Sequence, residues 1–246
     1  MQTIERINYI KKWIEDYCKS MPKEPESLVI GISGGIDSSV TSAICSLTRK
    51  KTIVLSMPIK QIKKQQDLSL KHQEWLQNKF KNVESHLIIL DNLFKSFKVS
   101  LSEFDNEHGF ANSRARLRMT TLYQVAAANN GIVVGTGNKV EDFGVGFYTK
   151  YGDGGVDISP IADCTKTQVW EMGKELKILD EIIKAEPTDG LWDDGRSDVD
   201  QLGMNYQELE KAMLDNNNKN HQKYLEIRKN NLHKMKSIPV CKINND

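Results

Sequence analysis

The sequence has little of what would mark a secreted, membrane-spanning or polyanion-coating protein. Its four cysteines, Cys18, Cys45, Cys164 and Cys241, are scattered, with no C-x-x-C pair and no histidine pair at metal spacing. That argues against a disulfide scaffold or a structural zinc site, and suits reduced thiols in a cytoplasmic setting. Nowhere do about 18 apolar residues run together, so no ordinary spanning helix is expected. The opening MQTIERINYIKKW interleaves charges with isoleucines and lacks the apolar stretch of a signal peptide. Excess charge of one sign is missing too: 34 lysines and arginines face 33 aspartates and glutamates, a net +1. Without a global field, neither nucleic acid nor an anionic membrane is an expected partner. Any polyanion site must be built from local groups.

What is present is an ordinary globular composition, 39% hydrophobic and 27% charged over 246 residues, read as a single domain over 1–246. Ile4, Ile7, Ile10, Ile14 and Tyr17 recur every three or four residues and predict an amphipathic first helix, broken at 21–25. Strands are expected at 28–32, at 52–57 (stopped by Pro58), at 86–90 and at 132–134. Between them the pattern predicts helices at 36–48, 64–80, 91–104 and 112–130, the last capped at Asn112 or Ser113. A glycine-rich stretch, 135–160, shows little helical period. Helix resumes at 165–179 and in the last fifty residues, apart from a polar connection at 188–203. Short apolar strands alternating with helices predict an α/β fold: a doubly wound, mostly parallel sheet flanked by helices, with a helical carboxyl-terminal region. Ligands of such sheets bind at the carboxyl ends of strands. The glycine-rich segments 31–38 and 135–138 each follow a strand, so they are expected to meet at one rim.

The first of these reads GISGGIDS. It lacks the lysine of a G-x-x-x-x-G-K-[ST] loop, and GTGNKV at 135–140 is no dinucleotide fingerprint, because Val140 stands at the third glycine position. SGGIDS instead offers a turn with exposed N–H groups, the hydroxyls of Ser33 and Ser38, and a helix amino-terminus that favours anions. Asp37 would repel phosphate unless a cation lay between them. Magnesium fits that need, since it takes one or two carboxylates and completes its shell with phosphate oxygens and water. The plainer reading is a tight turn with an early-helix acid.

SGGIDS resembles the pyrophosphatase loop of the N-type ATP pyrophosphatases, which split ATP between the α and β phosphates and adenylate an acceptor oxygen. ARLRM at 115–119, GTGNKVE at 135–141, FYTKYGDGG at 147–155, EPTD at 186–189 and the late His233-Lys234 follow the order seen in NAD synthetases. The resemblance runs from about residue 4 to the end, and TKYGDGG is its most specific part. It implies an adenine nucleotide alpha-hydrolase-like fold and a ligase that converts deamido-NAD to NAD through an acyl adenylate, releasing AMP and pyrophosphate. By that resemblance Gly31, Ile32, Ser33, Gly34, Gly35, Ile36, Asp37 and Ser38 bind ATP, with Thr136, Lys166 and Thr188. Arg116, Lys150, Asp157, His233 and Lys234 match deamido-NAD positions, Asp37 and Glu141 match the Mg²⁺ ligands, and no side chain is a covalent nucleophile. A homodimer is implied as well.

By residue type alone, several of these have duller explanations. Arg114, Arg116 and Arg118 read as a solvated basic face, Glu141 as a loop acid, Lys166 as a first-turn lysine and His233 as a surface histidine. The chain departs from the family pattern by one extra residue between Glu141 and Lys150. Glutamine-dependent relatives carry an amidase domain before the synthetase part. Only about 27 residues precede the first loop strand here, so direct use of ammonia is expected. Two rivals stand beside this reading: another adenylating amidase or thiolase with the same loop, such as the ATP domain of GMP synthetase, and a regulatory protein of the same α/β architecture that senses ATP without turnover.

Overall fold

The structure, a computed structural model, describes residues 1–188, 190–192 and 197–243. Its first half alternates as expected: α1 (Thr3–Ser20), β1 (Ser27–Gly31), α2 (Ile36–Leu47), β2 (Lys51–Ser56), α3 (Lys63–Lys79), β3 (Val83–Leu87), α4 (Asp91–Ser100), α5 (Glu107–Ala128) and β4 (Gly131–Val133). One wide π-type turn, Lys139–Val145, follows. Then come α6 (Lys166–Glu175), α7 (Asp180–Ile183), α8 (Asp198–Leu202), α9 (Tyr206–Leu214) and α10 (His221–Met235). Among the described residues no helix is long and apolar enough to cross a membrane.

The four strands lie in the order β3-β2-β1-β4, all parallel. Leu28, Val29 and Ile30 on β1 are all fully buried, because both faces of the sheet are covered. Leu28 and Ile30 pack with Ile14 of α1, Ile44 of α2 and Met172 of α6. Val29 points the other way, toward Phe94 of α4, Phe110 of α5 and Leu55 of β2. An unbroken apolar strand is the pattern of a two-sided core, and each such side chain contributes about 1.5–3 kcal/mol on burial. A third cluster joins Val140 and Val145 of the π-type turn to Leu202, Leu209 and Tyr224 of α8, α9 and α10.

Several boundaries differ from expectation: the helix expected at 91–104 ends as α4 at Ser100, with a separate short turn at Ser102–Phe104, and α8 falls within the connection expected at 188–203. β3 spans Val83–Leu87 instead of 86–90, since an edge strand alternates in exposure and its apolar run is not the paired part. The chain nevertheless stays beside β2, with the Ile88 and Leu90 N–H groups donating to Ser56 and Pro58. α5 starts at Glu107, before 112, because the Asn106 side chain caps it by accepting from the Gly109 N–H at 2.7 Å. α6 stops at Glu175, short of 179, where Lys177 takes a positive φ of 58°.

Chain order runs outward from β1 through β2 to β3, then returns to place β4 on the other side of β1. The switch in direction opens a crevice at the carboxyl ends of β1 and β4. Both glycine-rich segments leave their strands there, and they do meet: the Asn138 amide donates to Asp37 Oδ1 at 3.0 Å.

Candidate active site

The turn after β1 is shaped by close approach. Gly34 has φ +90°, and a Cβ there would lie 2.6 Å from the Gln65 carbonyl oxygen on α3. Only glycine combines that backbone with that contact. The Ser69 hydroxyl of α3 donates to the Ile32 carbonyl at 2.9 Å, pinning the turn from the same side. Ser33 and Ser38 hydroxyls lie 3.1 Å apart, and the Gly35 N–H donates to the Ser33 hydroxyl. Gly35 is the N-cap of α2 and supplies no side-chain acceptor. The first N–H groups of α2 therefore face the crevice, which favours an anion.

Asp37, on the first turn of α2, meets residues from two other elements. Lys166, the first residue of α6, has a side chain only 3% exposed; its Nζ donates to Asp37 Oδ2 at 2.5 Å and to Glu141 Oε1 at 2.8 Å. Asn138 is fully buried and accepts at Oδ1 from the Val140 and Glu141 N–H groups while holding Asp37 with its amide. The Tyr206 hydroxyl of α9 lies 2.5 Å from Glu141 Oε1 and 2.5 Å from Asp198 Oδ2. Burial raises the Asp37 carboxyl despite Lys166. Burial alone would raise Glu141 too, but Lys166 and Tyr206 draw it below the usual range. Burial opposes the charge on Lys166, yet the two carboxylates more than offset it and keep the ammonium protonated. Asp142, next along, is pushed well up by burial and by Asp153. Its carboxylate occupies the space that a Cβ on Gly137 would need, 1.8 Å away.

The segment Lys139–Val145, which carries Glu141, winds as a π-type turn. A π-type turn holds one more residue than an α turn, and such turns recur at functional sites. Helix α10 supports it from outside. The Arg228 guanidinium donates to the Phe143 carbonyl and, at 2.6 Å, to that of Gly144; Asn231 donates to Val145 at 3.0 Å and Lys234 to Tyr148 at 2.8 Å.

One cavity gathers all eight residues of 31–38 with Thr136, Glu141, Lys166 and Thr188, the last bonded by the Gln65 amide. The residues expected at deamido-NAD stand elsewhere. Arg116 Nε donates to the Lys150 carbonyl at 3.4 Å, so these two lie together beside the TKYGDGG segment. Asp157 accepts from the Val133 N–H at 2.7 Å and from the Tyr123 hydroxyl at 3.0 Å, fixing the end of β4. His233 and Lys234 occupy the last turn of α10, His233 exposed and Lys234 against Tyr148. Asp189, part of the EPTD motif, lies outside the described residues. The solvated basic face is not what α5 presents: Arg114 is buried over the Phe94 ring, and Arg118 lines the cavity and donates to the Met57 carbonyl.

Asn138, Tyr206, Asp198 and Asp142 belong to this site and were not singled out by the sequence, and Arg118 was read only as part of a basic face. Asn138 was findable, since Asn followed three residues later by Glu is a helix-start signature. Tyr206 has no local signal; it reaches Glu141 across 65 residues of chain.

The fold and this crevice define a parallel α/β protein whose strand ends carry a glycine turn, an open helix amino-terminus and two converging carboxylates. Its sequence carries the match further: the family model for NAD synthase covers residues 6–245, and the chain belongs to that family. An NH(3)-dependent NAD(+) synthetase of Thermoplasma acidophilum is 36% identical over 227 residues, 87% of this chain and 84% of that protein. The solved NMN synthetase from Francisella tularensis is similar at TM-score 0.89 and 31% identity, covering 99% of this chain and 100% of that one. An NH3-dependent NAD synthetase from Campylobacter jejuni subsp. jejuni, solved with the nitrate ion, shares the fold at TM-score 0.79 and 23% identity, over 98% of this chain and 100% of that one.

Proposed function

We propose that this chain makes NAD by ATP-dependent amidation of deamido-NAD, with ammonia as the nitrogen donor and AMP and pyrophosphate as by-products. Direct amidation of a carboxylate fails because its leaving group would be oxide. Attack of the carboxylate oxygen on the α phosphate of ATP gives an acyl adenylate and frees pyrophosphate. Ammonia then adds to the acyl carbon, AMP departs, and a proton is lost from nitrogen. Both nucleophiles come with substrates, so the protein's work is positioning and charge neutralisation.

The 31–38 turn and the α2 amino-terminus hold the polyphosphate, with Thr136, Lys166 and Thr188 around it. Asp37 and Glu141 fit a magnesium ion on a geometric ground: one nitrogen lies within 2.8 Å of an oxygen from each, so the two carboxylates converge on a single point. Among the described residues no group of three or more His, Cys, Asp or Glu has metal spacing, which suits an ion that takes the rest of its shell from phosphate and water. Magnesium would supply Lewis-acid neutralisation of phosphate charge. Arg116 and Lys150, adjacent on the rim, receive the deamido-NAD anion together with Asp157, His233 and Lys234. The enzyme works in the cytoplasm as one synthetase unit, as a homodimer.

The convergence of Asp37 and Glu141 beside the open helix end carries this reading. Its test is a coupled assay of the purified chain with ATP, Mg²⁺, deamido-NAD and either ammonium or glutamine. NAD, AMP and pyrophosphate should appear in equal amounts with ammonium. Pyrophosphate release that ignores deamido-NAD, or turnover on glutamine alone, would sink it. A second acceptor belongs in the same assay. The Francisella tularensis protein is named an NMN synthetase and matches this chain along its whole length. The same chemistry on nicotinic acid mononucleotide would yield NMN. Comparing kcat/KM for the two acceptors decides between them, and a higher value for the mononucleotide would replace the first reading.

A further inference from the structure

Lys166 does more than border the polyphosphate site. Its ammonium sits at the point on which Asp37 and Glu141 converge, 2.5 and 2.8 Å from their oxygens, and 4.5 Å above the Tyr206 ring. The other contacts of the pair are fixed from the sides, by Asn138 on Asp37 Oδ1 and by Tyr206 on Glu141 Oε1. Magnesium binds carboxylate oxygens at about 2.0–2.1 Å and tolerates no cation in contact with it. A divalent ion bridging Asp37 Oδ2 and Glu141 Oε1, the two oxygens that converge, and the present position of Nζ therefore exclude one another.

The geometry points to Lys166 as an internal competitor for the metal: its ammonium holds the two acids together until metal and polyphosphate arrive jointly, and then moves from carboxylate to phosphate oxygen. This rests on the metal assignment to Asp37 and Glu141. One ammonium against two carboxylates leaves a single excess negative charge. Adding a dication alone would reverse that sign and strand a buried ammonium without acceptors. A metal bound to polyphosphate brings its own negative charge and gives Nζ new partners. The site thus favours the metal–nucleotide complex over the free ion, and it keeps its acids paired meanwhile.

The test is Mn²⁺ binding to the full chain without nucleotide, read by electron paramagnetic resonance, in wild type, Lys166→Met and Asp37→Asn. Methionine keeps the length and burial of the lysine stem while removing the charge. With the competitor gone, Lys166→Met should bind Mn²⁺ about tenfold more tightly than wild type, and circular dichroism should show the native helix content. Equal or weaker binding in Lys166→Met, with binding lost in Asp37→Asn, overturns the competitor role and leaves the metal site standing. Mn²⁺ binding indifferent to Asp37→Asn overturns the metal assignment itself. Should Lys166→Met fail to fold, the wild-type protein still gives an answer by mass spectrometry. Carbamylation of Lys166 by cyanate should speed up at saturating Mn²⁺, as the ammonium is released, and an unchanged rate overturns the proposal.

Discussion

The two carboxylates that meet at Lys166 are held in opposite ways. Asp37 rides on main chain: β1 lies between two strands, its side chains are fully buried, and the glycine turn is pressed against α3. Glu141 rides on a single wide turn whose carbonyls are held by Arg228 and Asn231 and whose acid is tethered by Tyr206. One half of the site is thus a product of the core, the other of side chains reaching in from α9 and α10. Rigidity follows the first kind of support more closely than the second, because a strand in a sheet cannot move without breaking its neighbours. The difference predicts where mutations separate activity from stability.

The largest effect falls on the core-borne side. Asp37→Asn should lower adenylation by about 10²–10³-fold, the usual scale for a group that stabilises developing charge. Its melting temperature should stay near that of wild type, since backbone and not the carboxylate holds the turn. Initial rates of pyrophosphate release beside a melting curve check both halves. A variant that unfolds would show that Asp37 is structural, and the contrast between the two regions would fail.

Tyr206→Phe comes next. It deletes the hydroxyl that links Glu141 to Asp198, at 2.5 Å on each side. Outer partners of a metal ligand are worth about 10–100-fold in metal affinity, so the Mg²⁺ concentration for half-maximal rate should rise by that order with kcat less affected. An unchanged requirement would mean that Glu141 needs no help from α9. A gentler probe of the same side is Arg228→Met, which strips the donor from the Phe143 and Gly144 carbonyls. The Phe143 carbonyl is exposed and can turn to water, whereas that of buried Gly144 loses its donor, so the cost is about 0.5–1.5 kcal/mol of local stability. Faster amide exchange confined to 139–148 is the expected readout, and exchange that speeds up equally in α2 would erase the distinction drawn here.

The same contrast explains what could be read from the sequence. The glycine turn is contiguous: strand, SGGIDS and helix follow one another, and backbone chemistry needs nothing distant to be recognised. Both parallel pairing and the meeting of the two rims followed from apolar strands alternating with helices. Glu141 was visible only through the family motif, because an acid in a glycine-rich stretch has no local signature. The shape of the turn around Glu141 could not be read at all; its π-type winding is held by donors on α10 some 85 residues away. Arg114 and Arg118 show the limit from another side. Residue type suggested a solvated face, but stacking on Phe94 and a carbonyl on β2's extension draw both inward.

The smallest effect on catalysis, and the last, concerns the core-borne half under acid. His72 of α3 is fully buried, with Nε2 3.0 Å from the Ser42 hydroxyl of α2 and its ring stacked on Trp75. Burial pushes its imidazole down to about 3 from an ordinary 6.5. The folded protein therefore keeps His72 neutral over a range in which the unfolded chain takes up a proton. Stability is undiminished by this group above pH 6.5 and falls as pH drops below it, by about 1.4 kcal/mol per unit at most. His72→Gln retains a group able to bond Ser42 but cannot titrate, so its stability should decline less steeply between pH 6.5 and 4.5. Urea unfolding at several pH values reads the slope directly, and turnover at pH 7.5 should be nearly that of wild type. Parallel curves for the two proteins would mean that His72 takes its proton within the fold, and that the packing of α3 beneath the glycine turn is looser than a core-borne site requires.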